Sequence, residues 1–193
     1  MKKLLTSLIT CALACTVLFA VTACSTPSEP PRVASKGLSF ELNDEGTGYI
    51  VSGIGTCGDK VVVIPETYNE KPVVAIGDAA FKDKKAITGV DVPGSIKYIG
   101  DEGFRGCDLL ASVVLAEGVE HLGERCFSSC TRLVSITIPL SMTTMSGLVF
   151  TSNTLMTDIY YKGTSIPRGW DSSWKYDNSA FVHYSTCVCD KCA

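Results

Sequence analysis

Histidine is scarce. The 193 residues hold two, His121 and His183, which excludes chemistry built on several imidazoles. Basic charge is not in excess either. Lys and Arg number 17 against 20 Asp and Glu, a net charge of −3, and with Lys2 and Lys3 set aside as leader residues the remainder reaches −5. A mildly acidic body without basic patches does not suit a phosphate backbone, so no nucleic-acid partner is expected. No Ser-His-Asp or Cys-His arrangement and no paired carboxylates stand out, and the sequence reads as non-enzymatic, with no cofactor. Gly53-Ile54-Gly55-Thr56-Cys57-Gly58 has dinucleotide-loop spacing. The residues after it, Val61-Val62-Val63-Ile64, form a strand pattern where a pyrophosphate needs a helix N-terminus. What is plentiful is apolar side chain: 46% of residues are hydrophobic against 19% charged, enough for a packed core in one domain with appendages.

The N-terminus reads as an address. Met1-Lys2-Lys3 is a short positive leader, and the apolar run from Leu4 to Val21 ends in Val21-Thr22-Ala23-Cys24. Small residues before a cleavage point favour a signal peptide over a retained helix. The tetrapeptide resembles the bacterial lipobox, which implies a lipid on the Cys24 thiol and cleavage before it. Several acyl chains at ~0.8 kcal/mol per buried CH₂ hold a protein stably on a membrane. Residues 1–23 are therefore expected to be a lipoprotein signal peptide. The expected location is the bacterial cell envelope, lipid-anchored and facing outside the cytoplasmic membrane. Residues 24–36 follow as a flexible tether, in which Pro27, Pro30 and Pro31 favour extended backbone. The twelve residues from Ser25 to Lys36 would reach ~35–40 Å at ~3.1 Å each.

The body repeats every 23 residues. IGDAAF at 76–81, IGDEGF at 99–104, LGERCF at 122–127 and a decayed MSGLVF at 145–150 align without gaps. Six apolar columns keep the register. They are headed by Ile76, Phe81, Ile87, Val90, Val92 and Ile96, and a column of small residues runs Ala80, Gly103, Cys126, Val149. Alternation at Val113 and Leu115 predicts a short strand, followed by a turn at Gly94 or Gly118 and a return through a helical turn led by Gly-Asp. Asp78, Asp101 and Glu124 sit beside that turn, where an acidic side chain satisfies free N–H groups; stacked carboxylates holding a cation is the alternative. One repeat cannot order itself, so the repeats fold as an array, with successive strands ~4.8 Å apart in a parallel sheet.

The pattern carried by Leu110, Val113, Leu115, Val119, Leu122, Gly123, Phe127 and Cys130 resembles the 23-residue leucine-rich repeat of BspA-like (Treponema-type) bacterial surface proteins. The likeness spans roughly residues 37–165. It implies a repeat solenoid with a short parallel β-sheet, an N-terminal β-hairpin cap and an irregular C-terminal cap. The expected divisions are a β cap over 37–70, repeats over 71–165, a C-terminal cap over 166–184 and a Cys-rich tail over 185–193. Leu38–Leu42 and Gly48–Ser52 flank a turn-rich NDEGT and read as the hairpin. Trp170, Trp174, Tyr176, Phe181 and Tyr184 would cover the last rung, with sugar stacking by the tryptophans as the alternative. The family includes adhesins that bind host matrix proteins.

Outward strand positions line the concave face of such an array. The candidate ligand-binding residues are Asp91, Ser112, Val114, Ser135, Thr137, Asp158 and Tyr160, on a face ~15–20 Å wide that suits a loop or peptide. The expected partners are the membrane, through the lipid on Cys24, and an extracellular protein, peptide or glycan. Cys107 and Cys130 share a column with Lys84 and Asn153, either as buried thiols or as a bridge. In the tail, Cys189-x-x-Cys192 has the spacing of a redox or metal pair, and His183 with Cys187 completes a Cys₃His set; a disulfide is the competing reading. Two alternatives to a binding and adhesion module follow: an envelope thiol-redox or metal protein using these cysteines, and a structural or assembly component.

Overall fold

The computed structural model describes residues 33–185. Fourteen strands run in order: β1 Ser39–Leu42, β2 Tyr49–Gly53, β3 Val61–Val63, β4 Thr67–Tyr68, β5 Lys71–Ile76, β6 Gly89–Val92, β7 Tyr98–Ile99, β8 Ser112–Leu115, β9 His121–Leu122, β10 Ser135–Ile138, β11 Thr144–Met145, β12 Asp158–Tyr161, β13 Gly169–Trp170 and β14 Phe181–Tyr184. They wind into a β-solenoid of about six turns. Among the described residues no helix is long and apolar enough to cross a membrane.

Each coil gives a longer strand to one side and a two-residue strand to the other. The short strands β5, β7, β9, β11 and β13 join in one parallel ladder, extended at its start by the antiparallel hairpin β1–β2. The hairpin turn is shaped by Asn43, whose Oδ1 accepts from the amides of Thr47 at 2.9 Å and Gly48 at 3.0 Å. The longer strands form two three-stranded parallel ladders, β3-β6-β8 and β10-β12-β14. Strands β8 and β10 are neighbours without a ladder between them. The core columns continue across that junction, Val113 to Ile136 and Leu115 to Ile138, all buried. Apolar stacking is what joins the coils there.

The interior confirms the 23-residue period. Phe81, Phe104, Phe127 and Phe150 are fully buried. Their rings stack face to face at 4.9, 5.3 and 6.1 Å with interplanar angles of 3°, 4° and 10°. Beyond them Trp174 meets Phe150 edge-on at 6.0 Å.

The return segments are not helical turns. Alternate amides point along the solenoid axis. Those of Ala79, Phe81 and Asp83 donate to Asp101, Gly103 and Arg105 of the next coil at 2.8, 2.8 and 2.7 Å, while Ala80 and Lys82 close local turns. This alternation needs left-handed backbone at recurring positions: φ is 52° at Ala79, 55° at Glu102, 53° at Arg125 and 61° at Leu148. Such φ values are unfavourable for residues with a Cβ, and the coil-to-coil hydrogen bonds offset them. The acidic column joins the same network. Asp78 Oδ1 accepts from the amide of Asp101 at 2.9 Å and Asp101 Oδ1 from that of Glu124 at 2.6 Å. Glu124 instead pairs with Arg125. The carboxylates therefore bind backbone one coil ahead, not a helix start. Gly100 and Gly123 permit this close approach, since a Cβ on either would sit 2.4 or 2.5 Å from the aspartate oxygen below it.

Each end is finished differently. At the N-terminal end Ser35 lies against β3: its amide donates to the Val63 carbonyl at 2.9 Å, and its Oγ accepts from the Val63 amide at 3.0 Å. At the C-terminal end the chain completes another coil. Trp170 pairs with Met145 and β14 pairs with β12. Trp170 and Trp174 are buried, which favours a capping role over sugar stacking, but Tyr176 and Phe181 stay 65% and 74% exposed. In β14 the inward positions are Val182 and Tyr184, in register with Ile159 and Tyr161, so Phe181 and His183 point away from the core.

Candidate functional site

The outward positions of the long strands build one surface. In register they form two rows. The first runs Val61, Gly89, Ser112 on one ladder and Ser135, Asp158, Phe181 on the other. The second runs Val63, Asp91, Val114 and then Thr137, Tyr160, His183. All seven candidate residues lie on this surface. Ser112, Val114, Ser135 and Thr137 are exposed, Asp91 and Tyr160 half-buried, and Asp158 is 9% exposed. The surface has rungs at β3 and β14 as well as the four expected. At ~4.8 Å per rung the six span ~24 Å, the length of about seven residues of extended chain.

The middle is shallow, with no side chain larger than valine from Gly89 to Thr137. The C-terminal end is bulky. The His183 ring stacks on Tyr160 at 4.7 Å and 16°, and its Nε2 lies 2.7 Å from Asp158 Oδ1. Thr157 Oγ donates to Asp158 Oδ2 at 2.7 Å. Asp158 thus holds its neighbours in place, and Tyr160, His183 and Phe181 supply the contact area. Phe181 and His183 were missed as site residues because the sequence reading ended the register at Tyr161. The signal was there: Phe181 to Tyr184 stand 23 residues beyond Asp158 to Tyr161, with the same alternation.

On the opposite ladder, Tyr98, His121 and Thr144 stand side by side, and His121 Nδ1 contacts Thr144 Oγ1. Two open depressions, of about 320 and 500 Å³, lie away from the long-strand rows. Ser146, Arg168 and Asp171 line the first, and Leu38, Phe40 and Tyr68 the second. Glu117 is pinned by Lys162 at 2.8 Å, two coils on, and this hydrogen bond holds its carboxyl below the usual range.

The described cysteines, Cys57, Cys107, Cys126 and Cys130, are free thiols. Cys107 and Cys130 donate to the carbonyls of Phe81 and Phe104 at 3.1 and 3.3 Å. Burial pushes the Cys107 thiol up to about 12 from its ordinary 9.0 and raises Cys126 and Cys130 as well. These are inert core residues. Among the described residues no group of three or more His, Cys, Asp or Glu side chains is placed to hold a metal ion. Of the expected metal set, His183 is bound to Asp158, while Cys187, Cys189 and Cys192 lie outside the described residues, as does Cys24.

A model of the BspA-type leucine-rich-repeat region matches residues 68–169 in six copies. A leucine-rich-repeat protein from Bacteroides capillosus is 33% identical and superimposes with a TM-score of 0.60 over 68% of this chain and 98% of its own. The T. pallidum leucine-rich-repeat protein is 22% identical, with a TM-score of 0.53 over 67% of this chain and 71% of its own. One from Bacteroides ovatus is 24% identical, with a TM-score of 0.55 over 81% of this chain and 37% of its own. No curated protein matches the chain.

Proposed function

Because this chain belongs to the BspA-type leucine-rich-repeat family, whose fold serves protein binding in general, we propose that it is a lipid-anchored adhesion module of the bacterial surface. The lipid sits on Cys24, and the proline-containing stretch before residue 37 carries the body away from the membrane. The long-strand surface takes an extended segment or loop of an extracellular protein. The observation that supports this reading is the outward pair of rows. A row of small hydroxylated side chains (Ser112, Ser135, Thr137) leaves room for a peptide backbone. It ends in the Tyr160–His183 stack and an exposed Phe181, and large aromatics of this kind are typical anchors of protein interfaces. A surface this narrow gives modest affinity per copy, which display of many copies on a cell multiplies.

Purified matrix proteins and displayed twelve-residue peptides are suitable probes. The expected result is selective capture by the wild-type chain. Capture is lost in the double variant Tyr160→Ala, Phe181→Ala, while its melting temperature stays within a few degrees. No selective capture, or capture unchanged in that variant, overturns the reading.

A further inference from the structure

The geometry points to a metal site at the C-terminal end of the solenoid, in which His183 and Cys187, Cys189 and Cys192 hold a thiophilic divalent cation of the zinc class. The first argument is the environment of His183. Its Nε2 is 2.7 Å from a carboxylate oxygen of Asp158. That carboxylate is itself 9% exposed and fixed by Thr157 at 2.7 Å. A histidine that ligates a metal through one ring nitrogen characteristically gives the other to a carboxylate, which fixes the tautomer and turns the ring. Coordination at His183 would therefore run through Nδ1, with Tyr160 stacked at 4.7 Å to stop the ring swinging.

The second argument is the ligand set. Three thiols follow His183 within nine residues, and Cys189-x-x-Cys192 has the spacing of a zinc knuckle. Cys187 is four residues beyond His183, at most ~13 Å of chain, so the tail can turn back on the ring. Three thiolates and one imidazole make a closed tetrahedral shell that prefers zinc to calcium or magnesium. Each thiol gives its proton to solvent on binding. The third argument is contrast: Cys107, Cys126 and Cys130 are buried in the core with raised pKa values and do not compete for the ion. A filled site would tie the tail to the rung that carries Phe181, an effect separate from any partner taken by the long-strand surface.

The test uses the reduced full-length chain with cobalt(II) as a spectroscopic stand-in for zinc. One cobalt per chain is expected, with thiolate-to-metal absorption and tetrahedral ligand-field bands that zinc abolishes. The variant Cys187→Ser, Cys189→Ser, Cys192→Ser should show neither. His183→Ala should weaken binding and change the ligand-field bands, and Asp158→Asn should weaken it ~10–100-fold. Zinc-dependent protection of the three tail cysteines from alkylation, read by peptide mass, gives a second measure that does not depend on the cap's stability. No thiolate absorption in the wild type, absorption that survives in the triple-serine variant, or binding and protection unchanged by His183→Ala each overturns the proposal.

Discussion

Replacing Phe104 with alanine tests the stacked interior most directly. Its ring is fully buried and lies nearly parallel to two others, 4.9 Å from Phe81 and 5.3 Å from Phe127. Truncation removes the transfer energy of the ring and leaves a cavity between two coils, neither of which can close without breaking its own ladder. A buried Phe→Ala costs ~3–5 kcal/mol, a large share of the ~5–15 kcal/mol that holds a domain together. At ~2–4 °C per kcal/mol for a body of this size, the melting midpoint should fall by ~6–20 °C. Phe150→Ala is the internal comparison. Its aromatic neighbours are more distant, Phe127 at 6.1 Å and Trp174 at 6.0 Å edge-on, so the fall should be smaller. Circular dichroism melts with a urea series, which separates a change of midpoint from a change of slope, give the answer. A fall below ~2 °C for Phe104→Ala, or one no larger than for the exposed Tyr98→Ala, would refute the idea that the coils are bound through this column.

Two further outcomes follow from the coil contacts. Gly123→Ala places a methyl 2.5 Å from Asp101 Oδ1 and 2.6 Å from the Asp101 amide, so it should destabilise by more than ~1 kcal/mol, the ordinary effect of a turn glycine; a melt equal to wild type contradicts the close approach. The Cys107 thiol, pushed up to about 12 by burial, is neutral when folded and titrates near 9.0 when unfolded. Its contribution is complete below pH 9 and is lost as pH rises towards 12, at up to ~1.4 kcal/mol per pH unit. Cys107→Ala should flatten the stability curve across that window, and an unchanged alkaline slope would count against the buried thiol.

The columns from Ile76 to Tyr161 were legible because a strict 23-residue spacing puts one residue type at one depth in coil after coil. The final coil was not. The pairing of Met145 with Trp170 skips 25 residues, and the 23-residue step returns at Asp158–Phe181, so a reader looking for constant spacing stops at Tyr161. That omission explains the altered picture of the candidate surface. Asp158, expected to meet a ligand, lies under the rung that His183 completes, while Phe181, expected to cover the core, faces outward. The return turns were located by Gly-Asp in the sequence, but the left-handed residues Glu102, Arg125 and Leu148 give no sign of that conformation. It is imposed by hydrogen bonds to a coil about 22 residues away, and no local propensity encodes that. Asp78 and Asp101 were recognised as amide acceptors, though the amides they serve belong to the next coil.

The seal that Ser35 places on Val63 bears on how the molecule avoids its own copies. Parallel strands stacked at a constant spacing are also the arrangement of a fibre, and a row of identical rungs invites a second molecule to continue where the first stops. Joining head to tail along this surface would need Val63 to offer its amide and carbonyl to an incoming strand, and one serine already occupies both. Polymer growth in that direction is stopped at its first step by a residue that belongs to no repeat.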